Sequence, residues 1–118
     1  MNLSVDEFYR QLRTALQKYL PSLEIKLNEI NQFRLKVRIT LSNTTFIDIF
    51  YGARKNRVDF TLIHQGSRIF GIDNLISWHC HPLGKGSDHL KIEPMSIDEI
   101  ILKFKDNIEK SQKELNIC

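Results

Sequence analysis

The stretch Phe33-Arg34-Leu35-Lys36-Val37-Arg38-Ile39-Thr40-Leu41 alternates strictly between apolar and polar side chains. Successive side chains of a β-strand point to opposite faces, so this pattern predicts a strand with one buried face and one solvent-facing face. Alternation of this kind is typical of antiparallel sheets that are covered on one side only. The stretch therefore indicates a sheet whose second side is open to solvent.

The same two-residue period continues on both sides of this stretch. The segment 23–27 alternates before it, and the segments 45–51 and 58–64 follow it with many aromatic and β-branched residues. A fifth short strand is predicted at 67–72, and 77–81 adds another if it is extended. Parallel pairing needs crossovers of a dozen or more residues, whereas these links are short. We therefore expect an antiparallel β-meander of about five or six strands.

Helices are predicted at both ends of the chain. The capping box Ser4–Glu7 predicts a helix that begins near Val5, and the capping box Ser96–Glu99 predicts another near Ile97. Apolar residues recur at helical spacing after each box, and in the second case they continue to Leu115. The expected fold is α+β, with the N-terminal and C-terminal helices packed on one face of the meander.

Composition predicts one ordinary globular domain that spans residues 1–118. The chain has 42% hydrophobic and 26% charged residues, and its apolar runs are shorter than the roughly 18 to 20 residues of a membrane-spanning helix. Its N-terminus does not resemble a signal peptide, so a cytoplasmic location without a membrane partner is expected. In that compartment Cys80 and Cys118 are expected to stay reduced. The formal net charge of +3 favours an anionic partner without defining one.

Three of the four histidines lie between residues 79 and 89. In an extended segment His79 and His81 point to one face and Cys80 to the other. The two imidazoles then suit either a divalent metal, with His89 or Asp73 as a third ligand, or an acid–base pair in phosphodiester cleavage. The structural alternative is that one histidine and the neighbouring tryptophan pack against a helix.

A set of cations predicts contact with a phosphate backbone, with a solvated strand face as the alternative. Phe33 is expected in the core and not at the surface. The cations of the quoted strand are Arg34, Lys36 and Arg38, and those of the following segments are Arg54, Lys55, Arg57 and Arg68.

Two aspartates interrupt predicted strands, where this residue type is disfavoured. Asp48 and Asp59 are expected either to form ion pairs with Arg57 or Arg68 or to orient a catalytic histidine.

One part of the chain resembles a known family. The chain resembles the TumE family of toxin–antitoxin toxins. The most specific similarity is the run Arg68-Ile69-Phe70-Gly71-Ile72-Asp73-Asn74, followed by Trp78-His79-x-His81-Pro82 and His89. Two earlier segments are also similar, namely Asp48-x-Phe50-Tyr51 and Phe60-Thr61-Leu62-Ile63. The resemblance covers the chain from about Phe46 to the last helix. It implies a role in a two-gene module and a cognate antitoxin, often a DNA-binding protein.

Carried over by position, the resemblance implies a site with Arg68 nearby. The implied site residues are Asp73, Asn74, His79, His81 and His89. The short glycine-rich loop Leu83 to Ser87 is a departure from the histidine-richer members.

The first hypothesis from sequence is a toxin that acts on RNA, as a ribonuclease. His79 or His81 would be the general base or acid, Arg68 would stabilise the transition state, and Asp73 would fix an imidazole tautomer. The alternatives are a non-enzymatic module that occupies a protein or nucleic-acid target, and a metal-binding hydrolase that uses His79, His81 and His89. No cofactor is expected unless the metal alternative holds. A homodimer through an exposed sheet edge is a further expectation.

Overall fold

The fold is a seven-stranded antiparallel sheet with one helix at each end of the described chain. A computed structural model describes residues 1–82 and 88–110. In chain order the elements are α1 (Val5–Tyr19), β1 (Glu24–Ile30), β2 (Arg34–Thr40), β3 (Thr45–Gly52), β4 (Arg57–His64), β5 (Ser67–Asp73), β6 (His79–His81), β7 (Leu90–Lys91) and α2 (Ile97–Lys110). Each strand pairs with the next, so the order in the sheet is the order in the sequence.

Both capping boxes have the predicted effect. Ser4 Oγ accepts a hydrogen bond from Glu7 N at 3.1 Å, and α1 begins at the next residue, Val5. Ser96 and Glu99 exchange two hydrogen bonds, at 3.0 and 3.1 Å, ahead of α2. These contacts satisfy backbone donors that the first helical turn leaves unpaired.

The core lies between the two helices and one side of the sheet. Phe8 of α1 stacks on Tyr51 of β3 with ring centroids 4.2 Å apart, and Phe104 of α2 packs edge-on against Phe70 of β5 at 4.8 Å. Both helices also contact Phe60 of β4. The α+β meander with both helices on one face is therefore confirmed, with one or two strands more than predicted.

The helices cover the central strands but not the edge strand β1. Ile25 and Leu27 were expected to face the core, yet each keeps about 40% of its surface exposed, as does Ile30 in the segment that was expected to be a connection. Phe33, which precedes β2, is 40% exposed as well, so its predicted core position is wrong. The alternation placed the β1 residues on the apolar side correctly, but two helices are too narrow to cover all seven strands of that side.

Three further expectations concern the loop after β6, the end of the second helix and the two cysteines. The loop Leu83 to Ser87 and the end of the second helix at Leu115 lie outside the described residues. The expectation of reduced cysteines is not met at Cys80, which is fully buried in the core and is not a free thiol. Cys118, the other cysteine of the chain, also lies outside the described residues.

The other side of the sheet carries no helix among residues 1–82 and 88–110. We call this side the open face. Within the same residues, neither helix is both long and apolar enough to cross a bilayer.

Candidate active site

The candidate site lies on the open face, where β5 ends and β6 begins. Asp73 pairs with His79 and Gly71 with His81 across the two strands. Both imidazoles contact Asp73, whereas Cys80 belongs to the core on the other side. The predicted orientation of the His79-x-His81 pair is therefore confirmed.

Asp73 lies between the two histidines. Its Oδ1 is 3.2 Å from His79 Nε2 and its Oδ2 is 3.3 Å from His81 Nε2. Oδ1 also accepts a hydrogen bond from Leu75 N at 3.0 Å, which fixes the carboxylate at the start of the following turn. Because a carboxylate oxygen accepts, the contact of His81 with Oδ2 is a hydrogen bond donated by a hydrogen on Nε2.

The second ring nitrogen of His79 is also occupied. His79 Nδ1 lies 2.9 Å from the carbonyl oxygen of Ser77, which can only accept. Both ring nitrogens of His79 therefore lie near an oxygen acceptor. The same Nδ1–H to carbonyl contact also orients histidines that bind a metal through Nε2.

His81 has a different environment. Only 1% of its surface is exposed, and its Nδ1 is buried without a hydrogen-bond partner among the described residues. Burial lowers the pKa of His81 below its usual value, and the nearby charge of Arg68 lowers it further, although the hydrogen bond to Asp73 acts in the opposite direction. His81 is therefore a neutral imidazole that donates its Nε2 hydrogen to Asp73.

His89, just before β7, completes a cluster of three rings. It stacks on His79 with centroids 4.9 Å apart and meets His81 edge-on at 4.4 Å. One ligand nitrogen from each histidine lies within 4.8 Å of the other two. His89 is exposed, so it is the ring of the three that solvent reaches most freely.

Arg68 reaches the cluster because a neighbouring residue lacks a side chain. A β-carbon at Gly71 would lie 3.4 Å from both Arg68 Cδ and His81 Cδ2. The guanidinium acts electrostatically on both His81 and Asp59. The structure thus brings together the four predicted catalytic residues, Arg68, Asp73, His79 and His81.

Asp59 and Arg57 of β4 border the same cleft. Asp59 is the cross-strand neighbour of Asp73, and its carboxylate accepts a hydrogen bond from Thr61 at 2.7 Å. Burial raises the pKa of Asp59, and the charge of Asp73 adds to this effect. Arg57 lies 3.6 Å from Asp59. Sequence reasoning singled out Asp59 but left its environment open, because only the strand register shows that it faces Asp73.

Together these side chains line an open cleft of about 390 Å³. The turn 75–77 forms its rim. Ile76 in this turn is fully exposed and has φ of 67°, a left-handed conformation that is unfavourable for a β-branched residue. The sequence offers no signal for this strained position.

Asn74 has a structural role instead of a place in the cleft. Its Oδ1 accepts from Val58 N at 2.8 Å, and its Nδ2 donates to Asn56 O at 2.7 Å. These bonds fix the start of β4 to the end of β5. The resemblance had implied Asn74 as a site residue.

The strand cations are largely paired within the chain. Arg38 makes two hydrogen bonds to Asp48, at 2.8 and 3.0 Å. Glu29 contacts Arg34 at 2.9 Å and Lys36 at 3.8 Å. For Asp48, the ion-pair expectation holds with Arg38 as the partner instead of Arg57 or Arg68.

Arg54 lies at the end of the sheet, with its guanidinium carbon 4.0 Å from the ring centroid of Phe33. Among the residues that the structure describes, Arg54 and Lys55 form no ion pair. They are the least neutralised of the predicted phosphate-binding cations.

Comparison with protein-family models, with curated proteins and with solved structures finds no match to this chain. Its chemistry is therefore inferred from the geometry of the cleft.

Proposed function

We propose that the chain is a toxin of a toxin–antitoxin system that cleaves RNA at the histidine cleft without a metal. The observation that carries the chemistry is the position of Asp73 between His79 and His81 with Arg68 beside them. The toxin role rests on the resemblance to TumE-family toxins. A cytoplasmic location and a cognate antitoxin as partner belong to the same proposal.

Cleavage of RNA by acid–base chemistry needs one group that removes a proton and one that supplies it. The 2′-hydroxyl loses its proton to the base, its oxygen attacks the phosphorus, and the bond from phosphorus to the 5′-oxygen breaks. The acid gives a proton to that leaving oxygen, and a 2′,3′-cyclic phosphate remains. Each positioned group typically contributes about 10²- to 10⁴-fold to the rate.

The environments of the three histidines suggest different roles. His79 is the general acid, because it lines the same cleft as Arg68 and contacts Asp73. His89 is the general base, because it is exposed and stacks directly on His79. His81 is too deeply buried to reach a substrate, so it positions Asp73.

The charges in the cleft are suited to a phosphate. The two carboxylates, Asp59 and Asp73, formally cancel the two guanidiniums, Arg57 and Arg68. A general acid acts in its protonated form, so His79 in this role adds one positive charge for the phosphodiester. Arg68 can stabilise the charge that develops on the non-bridging oxygens during attack.

A metal-dependent hydrolase is the second candidate, and one observation favours it. The three histidines bring ligand nitrogens within 4.8 Å of one another, and the His79 Nδ1 contact with Ser77 O would orient Nε2 toward a metal. A zinc or similar ion held there would activate a water molecule as the nucleophile. The hydrolysis product would then be a linear phosphate and not a cyclic one.

The purified chain, incubated with a labelled single-stranded RNA with and without EDTA, separates these functions. We expect cleavage that resists EDTA and leaves a 2′,3′-cyclic phosphate at the new end, detected by mass spectrometry. Loss of cleavage in EDTA, restored by zinc, would establish the metal-dependent candidate instead. Tight RNA or protein binding without any turnover would favour the non-enzymatic binding module.

A further inference from the structure

A second cleft lies on the open face beside the histidine site. It has a volume of about 480 Å³ and differs from the histidine cleft in its chemistry, because it combines two aromatic rings with four cations. The aromatic residues are Phe33 and Phe50, and the cations are Arg34, Arg54, Lys55 and Arg57. We call it the aromatic cleft.

The two rings in the aromatic cleft are not core residues. Phe33 is 40% exposed, and its backbone is fixed by Asn31, whose Oδ1 accepts from Phe33 N at 2.8 Å. The ring of Phe50 folds over Gly52, where a β-carbon would lie 3.3 Å from it. Both aromatic faces are therefore held at the surface by local structure.

The cations make the cleft suitable for an anionic aromatic ligand. Arg54 lies over one face of Phe33, and Arg54 and Lys55 form no ion pair within the described residues. A planar guanidinium beside an exposed ring is the arrangement on which a nucleobase stacks in proteins that bind single strands. A double helix does not present its bases in this way, so the chemistry selects a single strand.

The aromatic cleft is connected to the histidine cleft by shared residues. Arg57 lines both clefts. Phe50, Asp59 and Asp73 are successive cross-strand neighbours, which separates Phe50 from Asp73 by two strand spacings, or about 10 Å. An extended single strand covers this distance with a few nucleotides.

We propose that the aromatic cleft binds a base of single-stranded RNA and thereby positions a neighbouring phosphodiester in the histidine cleft. The base stacks between Phe33 and Phe50, Arg54 and Lys55 contact the backbone, and Arg57 contacts the phosphate between the two sites. The assignment of RNA as the strand rests on the proposed function. The stacking surface itself rests on the geometry of the aromatic cleft.

The test uses a fluorescein-labelled 2′-O-methyl RNA decamer, which cannot be cleaved by its own 2′-oxygen, and measures binding by fluorescence anisotropy. We expect Phe33→Leu to weaken binding about 5- to 150-fold, the range for removal of one stacked base. Arg54→Gln should reduce the slope of log Kd against log salt by about 0.7. Arg13→Gln is the matched control, because Arg13 lies over the Tyr9 ring on α1, away from the open face.

The outcomes separate this proposal from the proposed function. A wild-type chain that does not bind the decamer, or a Phe33→Leu variant that binds within twofold of wild type, overturns the aromatic cleft even if the chain cleaves RNA. Binding that depends on Phe33, in a chain that leaves ordinary RNA uncleaved, supports the aromatic cleft and refutes the cleavage mechanism. Circular dichroism checks that the variants fold, which is expected because Phe33 and Arg54 are exposed.

Discussion

Asp73 contacts two histidines at once, and this arrangement gives the histidines unequal importance. His79 reaches the cleft and is held by two acceptors, whereas His81 is buried and directs its Nε2 to Asp73. A residue that exchanges protons with the substrate and a residue that positions another one should respond differently to substitution.

We therefore expect His79→Gln to lower the rate of RNA cleavage by about 10²- to 10⁴-fold. His81→Gln should retain more activity than His81→Leu, because a glutamine amide can still donate to Asp73. His64→Gln is the control, since His64 bonds to Thr45 at the far end of β4. Equal losses in His79→Gln and His64→Gln would mean that the effect is not specific to the cleft.

The buried state of His81 predicts a pH dependence of stability. Its pKa in the folded chain is lowered from about 6.5. Below pH 6.5 the unfolded chain therefore binds a proton at His81 more readily than the folded chain does. The free energy of unfolding should therefore fall as the pH drops below about 6.5 and continue to fall until the folded pKa is reached. Urea denaturation between pH 8 and 5 measures this, and the curve should be flatter for His81→Gln. Parallel curves for the two proteins would contradict the assignment of a neutral His81.

At the scale of elements, β2 presents its cations to the open face but shares them with nearby acids. Replacing Arg34, Lys36 and Arg38 by glutamine should weaken the salt dependence of RNA binding. The slope of log Kd against log salt should fall by about 0.7 for each phosphate that the variant no longer neutralises. We expect less than the full effect of three phosphates, because Arg38 is engaged by Asp48. The matched control is the triple glutamine variant of Arg10, Arg13 and Lys18 on α1, which have comparable partners. An unchanged slope in the β2 variant would mean that these residues form only a solvated face.

The elements show which features a sequence can predict. Alternation over about seven residues predicts β2, β3 and β4, and the shorter segment 67–72 predicts β5. Two capping boxes predict where α1 and α2 begin. The strand β7 has two residues, too few for any period, and it was not predicted. The chain order also places Asp73 near His79, so that part of the site followed from sequence, whereas the position of Asp59 depends on the register between β4 and β5.

Coverage of the sheet is the feature that local patterns do not contain. Leu27 lies at a position that the alternation assigns to the apolar side, but its burial depends on the width of the helices above it. The aromatic cleft was not predicted because the alternation assigns Phe33 to the core, whereas Phe33 precedes β2 and lines the cleft.

At the scale of the whole molecule, β1 is the edge strand of the sheet. Its outer backbone edge pairs with no other strand among the described residues, and its apolar face is partly exposed. Two copies that pair through β1 would join their sheets around a twofold axis. We expect a concentration-dependent dimer in sedimentation equilibrium that Leu27→Lys shifts to monomer. Leu102→Lys on α2 is the control, because Leu102 is as exposed as Leu27 but lies away from the edge. A monomer at every concentration would rule out this association.

Because Ile76 is strained, selection for stability and selection for toxic activity should favour different residues at this position. A non-glycine residue in this conformation destabilises the folded chain by on the order of 1–3 kcal/mol. Replacement by glycine removes this strain, although glycine also makes the unfolded chain more flexible, which offsets part of the gain in stability. A laboratory screen for heat resistance should therefore enrich Ile76→Gly, with a melting temperature a few degrees higher. If Ile76 at the rim of the cleft contacts the RNA, Ile76→Gly should cleave RNA more slowly. A screen that selects for growth arrest should then select against this variant. Paired measurements of melting temperature and cleavage decide this, and a variant improved in both would show that the strained residue has no function.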